Sequence, residues 1–279
     1  MAMAKQSPTI KSLGTVSARL LRNLARTGRG MFVFEDALVH TKTNYHATAN
    51  LLARLIKKNE IARIKNGTYL ILQTGIEDIQ LKNWPVIARE MASPQPYFIS
   101  HYSAMRIHGM ISHPLTDVHI TIATRISDKK LKGIRYRFVY SKKKHFWGMT
   151  TQGTKKQNQF QVSDLERTIL DGLDRPDLCG GIIDVIRGIW AKQKEIKWVK
   201  LAQYGEKFKN KAAVKRLGFI IETLEIGNQK FIEQIQLLAK KTKGYTLFDP
   251  QGNRTGGYIN RWGLLLNANS EELKESVWG

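Results

Sequence analysis

Between residues 44 and 72 the chain changes its hydrophobic period. Leu51, Leu52, Leu55 and Ile56 are spaced i, i+1, i+4, i+5. This lays one apolar stripe along an α-helix and leaves His46, Asn50, Arg54 and Lys57 on its other side. After Glu60 the pattern becomes two short β-type runs, 61–64 and 68–72, joined through Asn66-Gly67. That dipeptide suits a two-residue hairpin because both central positions can take positive φ. Upstream, 17–24 reads as a basic amphipathic helix ending near Gly28 and Gly30, and 32–40 fits a second helix. Thr41-Lys42-Thr43-Asn44 then supplies a short turn with good N-cap residues. Helix, helix, turn, helix, hairpin is the order of a winged helix-turn-helix, whose third helix enters the major groove while the wing lies along the backbone or the minor groove.

Beyond residue 75 the pattern differs. Residues 76–91 have helical spacing in two pieces, with Pro85 in the first turn of the second, which places a boundary near residue 75. A short strand at 97–99, a helix at 102–108 stopped by Gly109, and alternating strands at 117–123 and 135–140 follow. Residues 141–159 are basic and polar and read as an exposed loop or strand edge. Ser163-Asp164-Leu165-Glu166 has capping-box spacing, with Ser163 as the cap, and starts a helix that Pro176 ends. Helices dominate from there to about Lys243. The expected class is α+β: a winged helix-turn-helix domain over 1–75, then a larger mixed α/β domain over 76–279 with a helix-rich second half.

Composition narrows the function. With 42% hydrophobic residues in 279 the chain can bury a sizeable core. Its longest apolar runs, such as 218–221 and 263–266, fall far short of the roughly 20 residues that span a bilayer. The single cysteine, Cys179, excludes an intrachain disulfide and a cysteine-based zinc cluster, so the chain fits a reducing cytoplasm. The net charge of +22 favours polyanionic partners through long-range attraction and counterion release. The excess is spread evenly, +7 over 1–80, +8 over 81–180 and +7 over 181–279, so charge alone names no site.

On the winged-helix reading, Lys42, Thr43, Tyr45, His46 and Asn50 face base edges or nearby phosphates, and Asn50 could pair bidentately with adenine. Arg54, Lys57, Arg63, Lys65 and Asn66 grip phosphates. A helix-hairpin unit used only for packing would share the spacing, but the basic flanks of the Asn-Gly tip favour double-stranded DNA. The lysine-rich stretch 192–216 includes Lys207, Lys209 and Lys211, which form either a solvated face or a docking surface for an acidic protein or RNA.

Catalytic patterns are weaker. Asp171 and Asp174, at i, i+3, read as structural or surface carboxylates. Pro176-Asp177 with Glu195-Ile196-Lys197 matches the loose PD…ExK pattern of Mg²⁺-dependent nucleases, whose carboxylates hold a metal while a lysine stabilises charge. That geometry normally sits on adjacent strands, whereas Asp177 follows a helix. The seven histidines show no HExxH spacing. His101 and His108 flank a short helix and read as capping or packing groups. No Walker loop, Rossmann glycines or GxSxG elbow is present, and neither cofactor nor metal is expected. Trp190 and Trp262 are read as core.

Five phrases, taken in order, resemble the AbiEi family of antitoxins: IARIKNGTYLI at 61–71, YFISHYSAMRIHGM at 97–110, QVSDLERTILDGLDRPDLCGG at 161–181, KRLGFIIETL at 215–224 and GGYINRWGLLLN at 256–267. The resemblance implies an N-terminal winged helix that represses its own operon and a C-terminal domain that neutralises a nucleotidyltransferase-like toxin. Operators of such modules are commonly inverted repeats, so two protomers per site are expected. A stand-alone regulator with an effector domain is the main alternative, and a nuclease the enzymatic one.

Overall fold

The computed structural model describes residues 15–26, 30–72 and 83–268 and the isolated positions 273, 275 and 277. The chain is mixed α and β and forms two compact units, Met1–Met91 and Ala92–Gly279. The boundary expected at 75, and the 76–82 part of the expected helix, lie among or beside residues outside the described set. The piece that is described, α4 (Trp84–Ala92), carries Pro85 in its first turn as expected.

The N-terminal unit begins with α1 (Thr15–Arg26), whose Leu20 and Leu24 enter the core. Then come β1 (Met31–Val33), α2 (Phe34–Thr41), α3 (Tyr45–Lys57), β2 (Ile61–Lys65) and β3 (Thr68–Ile71). The core joins Leu20, Leu24, Phe32, Ala37, Leu51, Leu52, Leu55, Ile61 and Tyr69. Two expectations need correction. Residues 31–33 are a strand rather than part of the second helix, because they pair antiparallel with β3 and set Phe32 against Tyr69 at 5.4 Å. The helix starts one step later, where the Val33 amide donates to the Asp36 carboxylate at 3.1 Å. The hairpin turn is also not of the doubly positive type. Gly67 takes φ 71° while Asn66 stays at negative φ, and a bulge between Arg63 and Lys65 absorbs the difference.

The turn between α2 and α3 is fixed by side chains. Lys42 caps α2 in the left-handed region at φ 55°, and Asn44 caps α3 by accepting from the Ala47 amide at 2.9 Å. Beneath the turn the hydroxyls of Thr41, Thr43 and Thr48 bond one another at 2.9–3.1 Å. The Phe34 amide donates to the Gly67 carbonyl at 2.8 Å, tying the hairpin tip to the start of α2.

The C-terminal unit holds a six-stranded sheet built from β4 (Tyr97–Ile99), β5 (Asp117–Ile122), β6 (Lys129–Leu131), β7 (Ile134–Tyr140), β8 (Met149–Gln152) and β9 (Phe160–Ser163), in the order β6-β7-β5-β4-β9-β8. The basic segment 141–159 thus contributes β8, an edge strand. The parallel neighbours β4 and β9 each lead into a helix, α5 (His101–Ile107) and α6 (Leu165–Asp174). Asp164, not Ser163, caps α6, accepting from the Arg167 amide at 2.9 Å. Ser163 is held in β9, bonding Thr168 at 2.8 Å, and Glu166 reaches the Lys197 amide at 3.0 Å rather than back to its own cap.

Four more helices complete the second half: α7 (Ile182–Lys192), α8 (Trp198–Lys207), α9 (Lys211–Thr223) and α10 (Gln229–Lys240). A small sheet of β10 (Thr246–Leu247), β11 (Gly257–Ile259) and β12 (Leu264–Leu266) follows. Trp262 is fully buried, as expected, and its indole N–H donates to Glu222 at 2.6 Å. Trp190 is partly buried against the same core. Gly218 of α9 is the floor on which Trp262 lies, since a Cβ there would sit 2.0 Å from the indole Cζ3. Gly218→Ala therefore destabilises the protein by about 2–3 kcal/mol through overpacking, although alanine is the better helix former. A lower urea midpoint with an unchanged m-value is the expected reading.

Candidate functional site

In the N-terminal unit, α3 buries Thr48, Leu51, Leu52 and Leu55, so the opposite face points outward. His46, Asn50, Arg54 and Lys57 are all exposed there, and Lys42 is exposed in the turn before the helix. Tyr45 is 63% exposed and leans on Phe34, ring centroids 4.7 Å apart. Thr43 is exposed as a residue, but its hydroxyl is engaged by Thr41 and Thr48, so it holds the turn. On the hairpin, Arg63 donates to Asn66 Oδ1 at 2.8 Å, which stiffens the tip and joins these two residues as one unit. Lys65 is half-buried and lies 3.7 Å from Glu90. The structure thus brings six of the ten proposed residues, Lys42, Tyr45, His46, Asn50, Arg54 and Lys57, to the surface with their polar ends uncommitted to the turn, tip or an ion pair; Thr43, Lys65 and the bonded pair Arg63 and Asn66 mark the departures.

The three lysines proposed as a docking face differ from one another. Lys211 Nζ donates to the carbonyls of Gly205, Glu206 and Phe208 at 2.7–2.9 Å and so caps the C-terminus of α8. Lys207 lies 4.7 Å from the Trp147 ring centre. Lys209 is exposed at the mouth of a cleft. Other cations of the same stretch are committed to partners within the unit, and two of them, Lys215 and Arg216, are buried. Lys215 Nζ donates to the Gly244 carbonyl at 2.7 Å, Arg216 donates to the carbonyls of Leu173, Leu247 and Phe248, and Lys200 bridges Asp164 and Glu166 at 3.0 and 2.8 Å.

The nuclease-like pair is not assembled as a site. Asp177 is held bidentately by Arg175 at 2.6 and 2.8 Å, and that bond lowers its pKa; Glu195 pairs with Lys192 at 2.9 Å. Among the described residues no group of three or more His, Cys, Asp or Glu is placed to hold a metal ion.

The cleft itself escaped the sequence reading. It measures about 530 Å³ and is bounded by the sheet (Thr121, Val139, Tyr140), by α6 (Arg167, Asp171, Asp174) and by Lys209 and Asn210. Arg167 is buried, with its guanidinium 4.2 Å from the Trp147 ring centre and 5.3 Å from that of Phe208. It donates to Asp171 Oδ1 at 2.8 Å and to the His145 and Trp147 carbonyls. Asp171 Oδ2 is buried without a partner, and burial raises the Asp171 pKa. Burial raises that of Asp174 too, against its hydrogen bond from Asn210. The i, i+4 spacing of Arg167 and Asp171 was the available signal, but nothing in the sequence shows that the pair is buried.

Next to the cleft lie two buried histidines. His101 takes φ 51° and its Nδ1 bonds Ser100 Oγ at 2.9 Å, while both ring nitrogens of His119 lack partners. Their rings are 6.1 Å apart. His101 does start its helix and His108 reaches the Ser163 carbonyl at 2.7 Å, so the packing role expected for both is what the contacts show. Burial, with Arg175 and Arg167 near His101 and with His101 and Arg137 near His119, pushes both pKa values down to about 3. Both rings are then neutral in the folded chain, whereas an unfolded histidine takes a proton near the ordinary value of 6.5. The unfolded state binds more protons between these two values, so this contribution makes stability fall as pH drops from about 6.5 towards 3. The raised carboxyls of Asp171 and Asp174 act in the opposite sense, which a variant separates. His119→Leu should flatten the acid-side slope of the urea midpoint; an unaltered slope would assign the acid sensitivity elsewhere.

Compared with known proteins, the chain matches no family and no curated protein. It does superimpose on the crystal structure of the RV2827C protein from Mycobacterium tuberculosis, at TM-score 0.71 over 96% of each chain and with 14% sequence identity. The two proteins are therefore similar in fold over nearly their whole length.

Proposed function

We propose that the protein is a DNA-binding transcriptional autorepressor and antitoxin of the AbiEi kind. One observation supports the DNA half above all others. The outward face of α3 carries His46, Asn50, Arg54 and Lys57, with Lys42 in the turn before it and a stiff basic hairpin in the same unit, while its inward face anchors the core of the unit. An amphipathic helix over a short turn, with a hairpin beside it, is a winged helix-turn-helix arrangement; His46 and Asn50 are set to meet base edges, and Arg54, Lys57 and Arg63 to meet phosphates.

The antitoxin half rests on the ordered phrases at 97–110, 161–181, 215–224 and 256–267, which fall on the sheet, α5, α6, α9 and the small sheet of the C-terminal unit. Its partner on this reading is a nucleotidyltransferase-like toxin, met through exposed cations such as Lys207 and Lys209 rather than Lys211, whose ammonium is committed to α8. A stand-alone regulator is the second reading, and the cleft of the C-terminal unit favours it, because an effector domain needs such a pocket.

Fluorescence anisotropy on the protein's own upstream duplex and on a scrambled duplex, across a salt titration, tests the DNA half. We expect a promoter preference of more than about tenfold, removed by Asn50→Ala. Arg54→Ala should weaken binding to both duplexes and reduce the salt slope by about one. Equal, steeply salt-dependent binding to both duplexes would make the +22 charge the whole explanation and sink the proposal. For the antitoxin half, co-expression with a neighbouring nucleotidyltransferase-like gene should restore growth.

A further inference from the structure

A second pocket of the C-terminal unit, of about 550 Å³, is lined by α9, the end of α10, the turn after it and the bend at 260–263. Its lining carries three basic side chains, Lys215, Lys240 and Arg261, and among the described residues no carboxylate. The three are not equivalent. Arg261 pairs with Glu222 at 2.7 Å, which fixes it and matches its charge. Lys240, exposed in the last turn of α10, makes no ion pair among the described residues. Lys215 is 2% exposed, and its ammonium donates to the carbonyls of Gly244 at 2.7 Å and Gly263 at 3.5 Å, both of them pocket residues. Carbonyls satisfy its hydrogen bonds and leave its charge unmatched, and burial lowers its pKa with no carboxylate to offset that. An anion in the pocket meets this charge without displacing the carbonyls.

A donor and two aromatic rings stand beside the unmatched charge. The Tyr245 hydroxyl donates to Asn260 Oδ1 at 2.6 Å, which commits the oxygen of that amide and leaves its nitrogen as a donor for the pocket both residues line. Tyr245 also meets Tyr258 edge to face, ring centroids 4.6 Å apart, and the two are 53% and 64% exposed. Tyrosines that touch each other and stay open to water form an aromatic patch the core does not use. The stretch 240–261 that carries both rings has five basic residues and one acid, Asp249, whose carboxylate accepts from the Gln251 amide at 2.9 Å. We propose that this pocket and its tyrosine pair bind single-stranded nucleic acid, with a backbone phosphate in the pocket and a base against Tyr258. A duplex keeps its bases stacked inside and offers the tyrosine faces nothing. An acidic peptide matches the cations but leaves the rings bare. A strand with unstacked bases uses both, because every base has a face to stack and every linkage a charge to match.

This inference goes beyond promoter reading by α3 and beyond toxin neutralisation, and rests on neither. Fluorescence anisotropy of the full-length protein with labelled, non-self-complementary RNA and DNA strands of about ten nucleotides tests it. Saturable binding with Kd below about 100 μM is expected for at least one of them, and the tighter of the two names the sugar. Tyr258→Ala should weaken that strand about tenfold, and Lys240→Gln should reduce the slope of log affinity against log salt by about 0.7. Lys215→Met, which keeps the buried stem and removes the charge, should weaken it too; should that variant fail to fold, the other two, both at exposed positions, carry the test. Asn50→Ala should leave strand binding unchanged and Tyr258→Ala should leave promoter-duplex binding unchanged, so this site and the winged-helix reading fail separately. Photocrosslinking of a strand containing 5-iodouridine should label the tryptic peptides 244–254 and 255–261, which hold Tyr245 and Tyr258. Absence of saturable binding, binding unaltered by Tyr258→Ala and Lys240→Gln, crosslinks confined to other peptides, or an oligoglutamate that competes as well as unlabelled strand would overturn the proposal.

Discussion

The interior of the C-terminal unit is organised by the need to hold the Arg167 guanidinium away from water. A guanidinium does not lose its proton under protein conditions, so burial has to be matched by a carboxylate, by carbonyls and by aromatic faces. Each of these comes from a different stretch: Asp171 from one turn further along the helix, the His145 and Trp147 carbonyls from the segment before β8, and Phe208 from the end of α8. Satisfying one cation therefore draws together three parts of the chain that are far apart in sequence. The same logic recurs at Arg216, whose donors reach carbonyls in 173, 247 and 248 and so join α6 to the small sheet.

This use of cations changes the meaning of the bulk charge. A basic chain reads from its composition as one that offers its charge to a partner, yet Arg167, Lys211, Lys215 and Arg216 serve the fold. Lys200 illustrates the balance: burial opposes its charge, but the hydrogen bonds it donates to Glu166 and Asp164 outweigh burial and raise its pKa. In the N-terminal unit the allocation is different. There the lysines and arginines of α3 and the hairpin remain largely at the surface, while threonines, a capping asparagine and apolar side chains hold the framework.

Local chemistry was the most legible part of the sequence. The stripe of Leu51, Leu52 and Leu55, the turn before Tyr45 and the alternation at 117–122 each specify an element through nearest neighbours, and each is present. Errors arose where a distant partner decided. Residues 31–33 are compatible with a helix by themselves and become a strand because β3 is available to pair with them. Ser163 has the spacing of a cap, but its hydroxyl is taken up by Thr168 and the neighbouring Asp164 caps instead. Lys211 resembles any other lysine of its run until the end of α8 is seen beneath it. The cleft was the least legible feature, because it is defined by three segments whose proximity has no local signature. The outward residues of α3, by contrast, could be named from periodicity alone.

The pairing of β4 with β9 has a consequence for how the protein is made. Ile99 lies beside Val162, so the middle of the large sheet closes across a loop of about sixty residues. Strands β5 and β7 are also parallel neighbours, but Ile120 and Phe138 are separated by a much shorter stretch. During synthesis one flank of the sheet can assemble while β4 still lacks its second neighbour, exposing an open edge until the ribosome has delivered residues 160–163. The N-terminal unit has no such delay, since its strand partners all emerge within residues 31–71. The N-terminal unit can therefore be complete on the nascent chain before the sheet of its companion unit has closed.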